Sequence, residues 1–206
     1  MTLKLLEFGR PRPHATTPES FAGLSQLRAY WEGLRQDSAL PDRAQLDPRG
    51  LAGVLDRVFL AEVIGRGLVQ VRIAGSALSE AAGMDLRGLP LSCLFSADAR
   101  PALAEALMPV IDGRAVVTLD LGANRTGHGA VARLILLPLT DGPNRRLVLG
   151  CLGHGEGTLG PRAKFEILRR QDERLTVADP VCEAAPSPQA PPQRRTPHLT
   201  LVHARD

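Results

Sequence analysis

Aromatic side chains are scarce in this 206-residue chain: one Trp, one Tyr and five Phe make up 3% of it. Any core must therefore be built from Leu, Val, Ile and Ala, and a hydrophobic fraction of 44% supplies enough of them. Cysteine is almost as rare. Cys93, Cys151 and Cys182 form no CxxC pair and no even set, which excludes a disulfide framework and points to a reduced, cytoplasmic setting. No apolar run approaches the ~18 residues of a membrane span. The stretch from Met1 to Phe8, broken by Lys4 and Glu7, lacks the pattern of a secretory signal. Charge of one sign is not in excess either: 25 Lys and Arg against 22 Asp and Glu leave a net +3. The two signs are interleaved, which disfavours a nucleic-acid or anionic-membrane surface. Motifs of catalysis are missing as well. There is no HExxH, no GxSxG and no phosphate-cradling Gly-rich loop with Lys. Cys151 and His154 have the spacing of metal ligands but lack two partners, and His128 between two glycines reads as a solvated loop residue. The chain is expected to be no enzyme and to hold no metal.

What the chain does have is periodicity. Residues 1–16 carry little of it and read as a flexible arm. Thr17-Pro18-Glu19 is a helix start: Thr caps exposed N–H groups, Pro suits the first helical position, and Glu suits the positive end of the dipole. Phe21, Leu24, Leu27, Trp31 and Leu34 follow at spacings of three or four, which predicts an amphipathic helix to about Gln36. Asp47-Pro48 repeats the start signal for a short helix over Leu51 and Leu55, so residues 17–56 read as flanking helices. Val58, Phe59, Leu60, Val63 and Ile64, then Val69, Val71 and Ile73, predict two strands joined at Gly65-Arg66-Gly67. A short helix follows over 77–82. A longer one carries Leu103, Leu107, Val110 and Ile111 on one face, with Pro109 inside it and Gly113 at its end.

Residues 115–121, 131–139 and 146–153 predict a three-strand meander, the middle strand apolar on both faces as suits a covered sheet. Phe59, Val71, Ile73, Leu119, Ile135, Leu137 and Leu149 are expected to form the sheet's side of the core, facing Leu103 and Leu107. Residues 161–175 predict a charged helix with Phe165, Ile167, Leu168 and Leu175 as its apolar minority, and residues 176–206 a disordered tail. The fold class is α+β: a five-stranded antiparallel sheet over residues 57–155 with helices on one face and a flanking N-terminal helix.

Particular stretches carry a family likeness. They are Leu27-Arg28-Ala29-Tyr30-Trp31-Glu32-Gly33-Leu34-Arg35, Leu40-Pro41-Asp42-Arg43, Asp47-Pro48, Val58-Phe59-Leu60, Val71-Arg72-Ile73-Ala74-Gly75-Ser76 and Gly83-Met84-Asp85-Leu86-Arg87-Gly88. In this order, over roughly residues 20–155, the chain resembles the small single-PAS-domain proteins of alphaproteobacteria. The resemblance implies a cavity between sheet and helices, and signalling partners rather than chemistry. The function it implies is a non-catalytic sensory or protein-interaction module in bacterial signalling or regulation, acting on a separate regulatory protein. Two alternatives stand beside it. A small-molecule carrier or enzyme would need Arg72, Asp85, Arg87 and Arg133 to converge. A nucleic-acid-associated regulator would use the Arg-rich surface.

The expected cavity lies between the sheet and residues 77–111. Its candidate lining is Leu78, Met84, Leu86, Leu91, Leu94, Leu107, Ile111, Leu119 and Leu137, which suits a small apolar ligand whose acidic head meets Arg72 or Arg87. Cofactor marks of PAS proteins are absent. Leu91-Ser92-Cys93-Leu94-Phe95 lacks the Asn, Arg and Gln that hold a flavin, and residues 96–113 contain no His for haem. Tyr30 and Trp31 are neighbours on one helix, about 100° apart, so one of them faces outward. Trp31 anchors the helix on the domain, or Tyr30, Trp31 and Leu34 contribute to a homodimer contact; the two are compatible.

Overall fold

The computed structural model describes residues 21–36, 39–123, 131–154, 162 and 164–176. The arm, the tail, the Thr17-Pro18-Glu19 start signal, His128 and Cys182 lie outside them. Helix α1 (Ala22–Leu34) comes first. The short helix expected after it is a single 3-10 turn, Pro48–Leu51, capped by the Asp47 carboxylate, which accepts from the Arg49 N–H at 2.9 Å. Gly50 within this turn lies under the Tyr30 ring, where an added Cβ would come within 2.4 Å of it. The strands β1 (Val58–Gly65) and β2 (Leu68–Ala74) form the expected hairpin, and Gly67 supplies its positive φ of 64°. Helices α2 (Ser76–Ala82) and α3 (Arg100–Ile111) follow, then β3 (Ala115–Ala123), β4 (Ala132–Asp141) and β5 (Arg145–His154) as an antiparallel meander.

The charged segment expected as a helix is a strand, β6 (Phe165–Arg174). It pairs antiparallel with β3 from Ala123↔Phe165 to Ala115↔Arg174. The backbone groups of β3 would otherwise end the sheet, and satisfying them outweighs the helix propensity of a Leu-, Arg- and Glu-rich run. The sheet thus has six strands rather than five, in the order β2-β1-β5-β4-β3-β6.

Two cores lie on the two faces of this sheet. On one face α2 and α3 cover Phe59, Val71, Leu119, Leu134 and Leu136 with Leu78, Leu103 and Leu107. On the other, Leu24, Leu27 and Trp31 of α1 cover Leu60, Ile135, Leu137 and Leu149. Strand β4 therefore buries both of its faces, as its composition predicts. The expected core list needs correcting on this point. Ile135, Leu137 and Leu149 look toward α1, because the register Leu137↔Leu149 turns both side chains away from Leu103 and Leu107. Ile73 stands opposite Leu60 on the edge strand β2 and is 53% exposed.

Candidate functional site

Between the sheet and the α2–α3 layer, the expected cavity residues Leu78, Leu86, Leu91, Leu94, Leu107 and Leu119 are all fully buried. They belong to one continuous cluster, which Phe95 and Phe165 join with ring centroids 6.2 Å apart. Ile111 packs at the margin of that cluster, partly buried. The other candidates lie elsewhere. Met84 follows α2 directly, past its left-handed Gly83 cap, and is exposed. Leu137 lies on the α1 face.

The polar candidates do not converge. Arg72 reaches the Glu62 carboxylate at 2.7 Å on the surface, and Arg145 meets the same carboxylate at 2.7 Å. Hydrogen bonds from Arg145 and Arg72 hold Glu62 below the usual carboxylate range. Arg87 folds back on Asp85 at 2.6 Å, and its hydrogen bonds pull that exposed carboxyl down to about 2. Arg133 crosses to Asp120 at 2.6 Å and lies over the Phe21 ring, 4.6 Å from its centroid. Each Arg has found a local acid, so these groups form separate surface pairs and no common ligand cradle.

An open concavity of about 510 Å³ lies instead on the opposite face, between α1 and strands β3, β4 and β6. Leu24, Val116 and Ile135 make its floor. Ser25 and Ala29 of α1 and Thr118 of β3 line it, and its rim carries Arg28, Glu32, Arg133 and Glu173. Across the groove Arg28 ties two elements together. It pairs with Glu32 one turn along α1 and with Glu173 of β6 at 2.7 Å. Burial opposes the charge on Arg28, yet the two carboxylates outweigh it and raise its pKa. The Arg28–Glu32 spacing is legible in the sequence, but Glu173 joins it only through the strand pairing of β6.

The helix residues expected at a dimer contact are largely used within the chain. Trp31 is fully buried and donates its indole N–H to the Pro138 carbonyl at 2.8 Å. The Tyr30 hydroxyl accepts from the Asp47 N–H at 2.7 Å. Leu34 closes α1, half-buried.

Among the described residues, no cluster of His, Cys, Asp or Glu could hold a metal ion, and no helix is long and apolar enough to cross a membrane. Lys164 donates its ammonium to the Cys93 carbonyl. Cys151 is buried on β5, and burial pushes its thiol up to about 12. At pH 8 the thiolate fraction is then on the order of one in ten thousand. In a chain with Cys93 and Cys182 changed to Ser, Cys151 should stay unmodified by a thiol reagent at pH 8 until urea unfolds the protein. Modification at the rate of a free thiol would contradict its burial.

In comparison with known proteins, residues 20–153 match a family model described as PAS domain. No curated protein and no solved structure matches the chain.

Proposed function

The chain belongs to the PAS-domain family, and on that premise we propose that it is a non-catalytic module of bacterial signalling that works in the cytoplasm through a protein partner held at its α1 face. PAS domains are sensory or interaction modules, so the question is which surface does the work. The observation that carries this reading is the groove. Its floor is aliphatic and its rim presents cations and anions, Arg28 and Arg133 beside Glu32 and Glu173. That lining suits a partner segment that inserts an aliphatic side chain and flanks it with charges of both signs. The chain's own Leu side chains occupy the layer between sheet and helices, which favours a protein partner over an enclosed ligand.

A photo-crosslinking residue at Ser25, on the groove wall, should trap one discrete protein in the native cell. The same residue at Leu68, on the far edge strand, should not. Ala29→Trp, which fills the groove, should abolish the adduct. Equal trapping from Ser25 and Leu68, or none from either, would overturn the reading. A ligand at 100 times its dissociation constant stabilises a fold by about 2.7 kcal/mol. Thermal shifts of that size with fatty acids, small carboxylates, flavins or haem would replace the partner version with a ligand sensor.

A further inference from the structure

Strand β6 is the outermost strand of the sheet. At its start Phe165 bridges Phe95 and accepts from the Ser96 N–H at 3.0 Å, and among the described residues no strand pairing covers its outer side beyond that point. Its backbone orientation follows from one bond: the Leu175 N–H donates to the Arg114 carbonyl at 2.8 Å. Antiparallel residues alternate between bonding to the neighbouring strand and facing away from it. Counting back from Leu175 through the register Val116↔Glu173, Thr118↔Gln171 and Asp120↔Arg169, those three residues of β6 bond to β3. Arg170, Asp172 and Arg174 direct their N–H and C=O groups at the free edge.

The side chains along this edge are exposed from Leu168 onward, and their charges mirror each other about Gln171. Arg170 lies on one side of it and Asp172 on the other; one step further out are Arg169 and Glu173. We propose that β6 pairs antiparallel with β6 of a second copy of this chain, centred on Gln171, so that the sheet continues through a two-fold axis. Arg170 then stands opposite Asp172 of the second copy, and Arg169 opposite its Glu173, each pair repeated by symmetry. Arg170 and Asp172 are also residues with outward backbone groups, so hydrogen-bonded pairs flank the axis on both sides.

Alternative registers are worse. Opposite residues must point to the same sheet face, which restricts the axis to a residue position. Within residues 169–174, Gln171 is the one uncharged side chain. An axis at Arg169, Arg170, Asp172, Glu173 or Arg174 sets a charge against itself, which destabilises the pairing. Edge charges often serve to repel a second strand, and a run of one sign does so in every register. This run reverses sign at its midpoint and attracts in one. In the single chain Arg170 already holds Asp172, with Nε at 2.7 Å from Oδ1; two such pairs across the axis make a ring of four alternating charges. Glu173 is shared with the rim of the groove, whereas Arg170, Gln171 and Asp172 lie outside its lining.

The test uses the full chain with Cys93 and Cys182 changed to Ser. Sedimentation equilibrium should show a dimer that weakens in high salt, because its ion pairs are exposed. Gln171→Cys should form an intermolecular disulfide under mild oxidation roughly ten times faster than Arg170→Cys. Only the residue on the axis meets its own copy, at about 4.5 Å between Cα atoms. Asp172→Pro removes an N–H that points at the open edge and costs β3 no bond, so it should abolish the dimer and leave the far-UV spectrum unchanged. Asp172→Arg should weaken association roughly tenfold, and adding Arg170→Asp should restore it. A chain that remains monomeric at ~100 μM, or equal crosslinking rates for the two cysteine variants, would overturn the proposal.

Discussion

Trp31→Ala should cost about 3–5 kcal/mol of folding free energy, the range for emptying a buried aromatic site. Trp31 is fully buried and sits on α1 where the helix meets Leu137, Leu139, Leu147 and Leu149 of the sheet. Its fully buried neighbours in this core are aliphatic apart from Cys151, and the rings of Phe21 and Tyr30 pack only at the margin of the cluster. The loss has a polar part too. The indole N–H donates to the Pro138 carbonyl at 2.8 Å, in the stretch of β4 beyond Leu136, where the pairing with β3 has stopped. Without that donor, a buried carbonyl loses its side-chain partner. Above the ring, Arg28 and Arg35 lie 5.0 and 5.3 Å from its centroid, and Arg28 is the residue that ties α1 to β6. Trp31→Phe keeps most of the buried area and removes the donor, so it should cost about 1–3 kcal/mol. Urea unfolding followed by far-UV circular dichroism measures both, since Trp31 is the only Trp. A loss below about 1 kcal/mol for Trp31→Ala would mean that α1 is not anchored on the sheet.

The Leu24, Leu27 and Trp31 stripe that makes α1 possible is legible in the sequence, because a helix buries one face and its spacing says which. The five strands from β1 to β5 are legible because short apolar runs, alternating at period two in β2 and continuous in β4, lie between turn residues. Which face of β4 meets which layer is not legible. Ile135, Leu137 and Leu139 alternate with Leu134 and Leu136, so either parity looks buried, and the cross-strand register alone decides. Strand β6 was hidden by its composition. Phe165 and Ile167 do alternate, and both pack into the α2–α3 core. A bulge opposite Asp120 and Leu121 then shifts the register at Leu168, the alternation breaks, and Arg169 to Arg174 show no apolar period at all. The groove is out of reach for a further reason. It needs α1 on one face, two central strands beneath it and Glu173 at the edge, and no local pattern encodes that meeting.

Gly75→Ala should be the most damaging added methyl among the described glycines, at about 3 kcal/mol or more, the upper end of overpacking costs. The backbone itself is no obstacle: φ is −67° and ψ 158° at Gly75, a conformation any residue adopts. The obstacle is space. A Cβ at Gly75 would lie 2.2 Å from the Asp56 carbonyl oxygen and 2.4 Å from that of Leu55. Both are main-chain atoms of the turn that leads into β1, so no rotamer change relieves the contact. The turn cannot retreat freely either, because the Gly75 N–H donates to the Val58 carbonyl at 2.8 Å and Val58 opens β1. The strain must therefore separate the end of β2 from the start of β1, or push α2, which begins at Ser76, off the core residue Leu78. Gly33→Ala is the internal control. It adds the same methyl in the last turn of α1, where nothing lies within 4 Å, and should stabilise the chain by about 0.5–1 kcal/mol. Urea midpoints of the two variants should move in opposite directions. A Gly75→Ala midpoint within error of the parent would mean that the close approach of this turn to the start of α2 is absent in solution.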